Sequence, residues 1–247
     1  TTTRDGHKHE VRAEFRGEKP AGWFGRSPQL QVKFLITLPR QFDVDLKTAG
    51  GSVNVAGLTG KVLAASSGGS MNSTRIEGPR SGHTSSGSIT VAGCKGRVEL
   101  STSGGSLNLG GIEGDLTGKT SGGSIRADKV TGKSVLKTAG GSMDLAGLKG
   151  SMEAATSGGS ITAEFLEPPT GECSFKSSGG SITVALDEKF AVDVDLRTSG
   201  GRVTTDLPIV SVVQGEPQKN ELRGKINGGG PLITAHTSGG SVRLHKR

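Results

Sequence analysis

Lys47, His83, Lys119, Lys137, Lys176, Arg197 and His236 each stand four residues before the second glycine of a recurring glycine pair. Cations repeated in this way on one outward face form a track for an anionic partner such as an acidic glycan, a lipid headgroup or a teichoic-type envelope polymer. Ala65, Ser101 and Ala155 interrupt the series, and charge at such positions also serves simply to keep a glycine-rich surface soluble. The carboxylates gather best at Glu172, Asp193 and Asp195, which by phase lie outward on adjacent coils. Carboxylates within reach of one sugar could act as general acid and base in glycan cleavage. Lys176 and Arg197 stand beside them, however, and a balanced, solvated face accounts for the same residues. Asp43 and Asp45 beside Lys61 read in the same way, and no catalytic set is assigned.

Cys94 and Cys173 occupy inward positions about four coils apart, roughly 20 Å at the spacing of stacked strands and beyond disulfide reach. Two buried free thiols that behave as small hydrophobes are expected. His7 and His9 could share a metal ion, but no further ligand set accompanies them or the cysteines, so neither a metal nor a cofactor is expected. Calcium-binding nonapeptide rolls are also glycine-rich, yet they need an Asp in each turn, and none stands there. A net charge of +7 biases the chain mildly toward anionic partners. With no clustered basic run and no aromatic platform, nucleic acid is not among them. No run of apolar residues is long enough for a transmembrane helix.

The elements that position these residues follow from one period. The second glycine of each pair falls at 51, 69, 87, 105, 123, 141 and 159, a constant step of eighteen, then at 180, 201 and 240. Two residues after it come Val53, Met71, Ile89, Leu107, Ile125, Met143, Ile161, Ile182, Val203 and Val242, all apolar. Seven after it come Leu58, Ile76, Cys94, Ile112, Val130, Leu148 and Leu166, and seven before it Val44, Val62, Val98, Leu116, Met152, Cys173, Val194 and Ile233. The neighbours alternate polar and apolar with the period of a half-buried strand, and no segment carries the 3.6 period of a helix. An eighteen-residue unit cannot bury its own apolar face, but stacked units can. The fold class is therefore all-β: a single-stranded parallel β-helix, or β-solenoid, of about ten coils of 18–21 residues. Each coil reads as a strand such as Ser52 to Val55, a corner at Gly57 to Gly60 and a strand such as Lys61 to Ser66. The paired glycines are assigned to tight corners that need positive φ.

Forty-two glycines, no tyrosine and a single tryptophan fit a narrow core lined by small aliphatic groups. Three residues before the second glycine runs a ladder of Thr48, Ser66, Thr84, Thr102, Thr120, Thr138, Thr156, Ser177, Thr198 and Thr237. Flat outward threonine arrays suit ice or polysaccharide surfaces, but the phase here points inward, where hydroxyls can bond one another or the corner backbone. The ends differ from the coils. Residues 1–40 read as N-terminal capping strands, His9 to Arg16 and Leu30 to Leu38, around a loop whose Trp23 plugs the core. Residues 41–207 read as the coils. Residues 208–247 read as a loop, a hairpin from Glu221 to Ala235 around Asn227-Gly228-Gly229-Gly230, and the last coil, all in one continuous domain.

Phe42-Asp43-Val44-Asp45-Leu46-Lys47-Thr48-Ala49-Gly50-Gly51-Ser52-Val53, together with Gly228-Gly229-Gly230 and Thr237-Ser238-Gly239-Gly240-Ser241-Val242, resembles bacterial β-strand-repeat domains of unknown function that carry the label adhesin. The resemblance covers residues 30 to 247 and implies a right-handed β-helix, export to the periplasm or cell surface, and no catalytic residues. The corner departs from that family, with Ser in place of its usual Asp or Asn. The opening Thr1-Thr2-Thr3-Arg4 lacks the layout of a secretory signal, and a leader removed from an exported chain is the expectation. The functional expectation is a non-enzymatic envelope module that presents a rigid surface to an unidentified macromolecule, with an anionic glycan or envelope polymer in view. A polysaccharide-processing enzyme and an anion-binding sensor of envelope damage are the alternatives.

Overall fold

A computed structural model describes residues 2–5, 8–11, 33–211 and 219–247. Thr1–Thr37 and Leu38–Arg247 form two compact units. In the first, Thr2–Asp5 pairs antiparallel with Lys8–Val11. Residues 33–38 form no strand, contrary to expectation. Trp23, Phe24 and His7 lie outside the described residues.

The second unit is the solenoid. Among the described residues it contains no helix. Each turn from Val44 to Leu186 contributes a five-residue strand to one sheet, for example Leu116–Thr120, and a strand of five to seven residues to the other, for example Ile125–Thr131. Turns stack in parallel with corresponding residues aligned, Leu107 on Ile89 and under Ile125. About eight turns follow one another in this way, from Val44–Thr48 to Ile182–Leu186, against the ten expected.

The two remaining strand pairs stack out of chain order. Leu232–Thr237 and Val242–Lys246 pair directly with Cys173–Ser177 and Ile182–Leu186. Val192–Thr198 and Val203–Thr205, earlier in sequence, lie beyond them. The expected hairpin does not form. Glu221–Ile226 runs antiparallel along one edge of Val192–Thr198, while Leu232–Thr237 runs parallel along the other. The connection therefore crosses over Val192, which explains the three glycines. Gly228 and Gly229 adopt φ near +89° (88° and 89°), and a Cβ at Gly230 would drive into the Ala191 carbonyl. Asn227 ties the crossing down by donating from Nδ2 to the carbonyls of Glu188 (2.6 Å) and Phe190 (3.1 Å). Leu232–Thr237 carries the solenoid pattern through to its own Gly239-Gly240 and continues the corner ladder, with Thr237 Oγ1 donating to the Gly180 carbonyl at 2.7 Å.

The inward columns are buried as the period requires: Ile89, Leu107 and Ile125 are each 0% exposed. Val53 and Val203, on the terminal turns, are half-buried against the same core. Leu166 is an exception and is exposed. The ladder shifts there to pair Leu148 with Phe165, and Phe165 turns inward to meet Phe175 edge-on at 6.2 Å. Both thiols are free and buried, and burial pushes Cys173 up to about 11.

Three kinds of glycine shape the turn. One closes the corner between the two strands with the positive φ such a corner needs, between 102° and 147° at Gly60, Gly78, Gly96, Gly114, Gly132 and Gly150, and the other two depart from the expected assignment. The left-handed residue sits inside the longer strand, at Gly57, Arg75, Gly93, Gly111, Lys129 and Gly147, with φ between 54° and 68°. The ladder skips it, so Val55 and then Leu58 both face inward. The second glycine of each pair is not left-handed. It is glycine because the preceding turn lies directly against its α-carbon: a Cβ on Gly123 would stand 2.7 Å from Ser106 N and closer still to the Gly105 carbonyl. At Arg75 and Lys129 a side chain bears the left-handed conformation, at a cost of about 1–2 kcal/mol that glycine avoids. Lys129→Gly should therefore raise stability by about 0.5–1 kcal/mol, less than the full strain because glycine loses more entropy on folding. A rise in the urea midpoint at unchanged slope checks it.

Candidate functional site

The stripe of cations is built by the shorter strands, whose outward positions alternate with the buried ones. Strand register runs Lys47, Ala65, His83, Ser101, Lys119, Lys137, Ala155, Lys176, His236, Arg197, one position per turn. Chain order alone would place Arg197 directly after Lys176. The inserted C-terminal strand puts His236 between them, so the last part of the stripe is denser than the sequence suggests.

That end of the stripe forms the floor of a groove of about 770 Å³. Lys137, Lys176, His236 and Arg197 line it, with the hydroxyls of Ser157 and Ser178 alongside and Asn220 and Glu221 as a wall. Its cations are not equivalent. Lys137 bonds Glu153 at 2.7 Å, and this hydrogen bond, with the charges of Lys137, Lys176 and Lys133, holds the Glu153 carboxyl below its ordinary range. Arg197 grips both oxygens of Asp195, at 2.8 and 3.1 Å. Arg223 and His236 reach the same carboxylate at 3.4 Å. Lys119 and Lys176 are exposed and make no ion pair among the described residues. Outside the groove, Lys47 pairs with Asp45 at 3.4 Å and His83 shares a hydrogen bond with Ser101 at 2.8 Å.

The acidic cluster is not assembled as expected. Asp193 pairs with Leu232, and the whole strand Leu232–Thr237 separates it from the turn that carries Glu172. Asp195 is wrapped by Arg197, Arg223 and His236. The hydroxyl ladder does lie inside. Thr120 Oγ1 donates to the Gly105 carbonyl of the turn before (2.8 Å) and accepts from the Gly123 N–H of its own turn (3.3 Å). The same pair of bonds recurs along the rod. A second ladder uses the corner serines, as Ser106 N–H donates to Ser88 Oγ at 3.1 Å. Serine thus does at this corner what an Asp or Asn could.

Residues 1–245 match the family model described as Toastrack DUF4097, a domain of unknown function. The chain belongs to that family. No curated protein and no solved structure matches it. The match concerns the Toastrack domain as such and carries no adhesive role. One Toastrack residue with chemical character was overlooked in the sequence: Arg80 stands seven before Gly87, in an otherwise inward column, and is buried. Its position in that column was the available signal.

Proposed function

We propose that this Toastrack solenoid is a non-enzymatic interaction module of the bacterial envelope, exported and adhesin-like, that holds an anionic polymer along its basic groove. The observation that carries the reading is the out-of-order C-terminal strand, which brings Lys176, His236 and Arg197 onto consecutive turns beside Lys137. Stacked strands repeat at about 4.8 Å, so charges there meet a linear polymer at regular intervals. Flanking serines offer hydroxyls to sugar or phosphate oxygens. The separation of Glu172 from Asp193, and the pairing of Asp195 with Arg197 and Arg223, favour binding over general acid and base chemistry.

Retention on immobilised polygalacturonate tests it. The double reversal Lys137→Glu, Lys176→Glu should weaken affinity roughly ten-fold, about 1.4 kcal/mol, with the difference shrinking as salt rises. Reversal of Lys95 and Lys129, on the other sheet, should leave retention nearly unchanged. Equal losses from the two pairs would mean that net charge, and not the groove, governs binding.

A further inference from the structure

Arg80 is 2% exposed, and its Nε and Nη2 have no hydrogen-bond partner among the described residues. Nη1 reaches only the Ser81 carbonyl, at 3.5 Å. A guanidinium enclosed among aliphatic side chains without a counter-charge is strongly disfavoured. Burial lowers Arg80 to about 10, which still leaves it charged at neutral pH. Cys94 cannot balance it, since burial pushes that thiol up against the opposing pull of Arg80 and keeps it neutral.

Gly82 takes a column position held by Leu100, Leu136 and Phe175 on other turns. Nη2 of Arg80 lies 3.3 Å from where a Gly82 Cβ would be. Gly118, two repeats on, shows what faces this position: Leu136, Leu107 and Leu109. The residues equivalent to these are Leu100, Met71 and Ser73, and Leu100 does lie against Gly82. Ser73 therefore faces the same nook, and its Oγ is likewise buried and unpartnered. The Nε and Nη2 donors of Arg80 and the Ser73 hydroxyl are thus all buried without partners in this part of the core, and no carboxylate pairs with the guanidinium among the described residues. We propose that the core holds a small inorganic anion of chloride size, bound by the Arg80 guanidinium and the Ser73 hydroxyl beside the bare backbone of Gly82.

The test uses the whole chain and bromide as the probe. At equal ionic strength of about 0.1 M, which holds screening constant, Tm in sodium bromide should exceed Tm in sodium gluconate by about 5 °C if the anion stands a hundred-fold above its Kd. Arg80→Met, of similar length and uncharged, should lose the difference. Crystals grown in bromide should show an anomalous peak within hydrogen-bonding distance of Arg80, a result that does not depend on the variant folding. Equal Tm values in the two salts, a halide effect that persists in Arg80→Met, or water alone at the guanidinium would each overturn the proposal.

Discussion

Gly123→Ala should lower stability by about 4 kcal/mol or more and split the solenoid's unfolding, whereas Gly122→Ala, one residue earlier, should change it by no more than about 1 kcal/mol. The two glycines differ in what lies over them. A Cβ on Gly122 would rest 3.6 Å from the Gly104 carbonyl, an ordinary contact, while one on Gly123 would overlap the backbone of Gly105 and Ser106. Overpacking against side chains costs about 1–3 kcal/mol because side chains move. Here the obstacle is main chain, fixed by hydrogen bonds on both sides, so the turns must separate and the larger value applies. The sequence already contains the mild substitution: Ser86 occupies the first-glycine position without disturbing the stack, and Ser86 N–H still donates to the Ser67 carbonyl at 3.2 Å. Where the first glycine is not left-handed, an added Cβ even removes unfolded-state entropy, worth about 0.4–1 kcal/mol. Urea unfolding followed by strand signal reads both. Equal effects at the two positions would sink the account of the corner. Each turn contacts only its neighbours, so a broken turn near the middle should also divide one transition into two.

The sequence discloses interior columns far better than it discloses the order of stacking. Ile89, Leu107 and Ile125 are fixed by a period of eighteen, and a period is a local property that survives any arrangement of the ends. Whether Thr237 or Thr198 stacks on Ser177 is decided by pairing between strands distant in sequence, and both carry the same corner pattern. The crossing that settles it was visible as Gly228-Gly229-Gly230, but glycines in a row fit a hairpin equally well. Arg80 was passed over because its residue type argues for the surface while its column argues for the core. Leu166 failed for a different reason: without a left-handed residue in that strand the phase slips by one, and Phe165 takes the inward place. The site inherits these limits. Every cation of the stripe was readable, yet the density of charge at the groove depends on the strand order that was not.

Thr120→Val should cost about 2–4 kcal/mol, though it keeps shape and loses only a hydroxyl. That hydroxyl is buried and bridges two turns, accepting from Gly123 N–H and donating to the Gly105 carbonyl. Valine leaves one donor and one acceptor without partners in a dry interior, each worth about 1–3 kcal/mol. Thr120→Ser retains both bonds and should stay within about 1 kcal/mol, since Ser66 and Ser177 perform the same task on their own turns. The end of the ladder separates the two bonds. Thr48, on the first turn, accepts from Gly51 N–H at 3.1 Å and has no donated bond to an earlier turn among the described residues. Thr48→Val should therefore cost about half as much, with the slope of the urea transition unchanged in all three variants. If valine at 48 and at 120 were equally costly, the bond that joins successive turns would contribute nothing, and cohesion of the rod would rest on the strand ladders and the aliphatic columns alone.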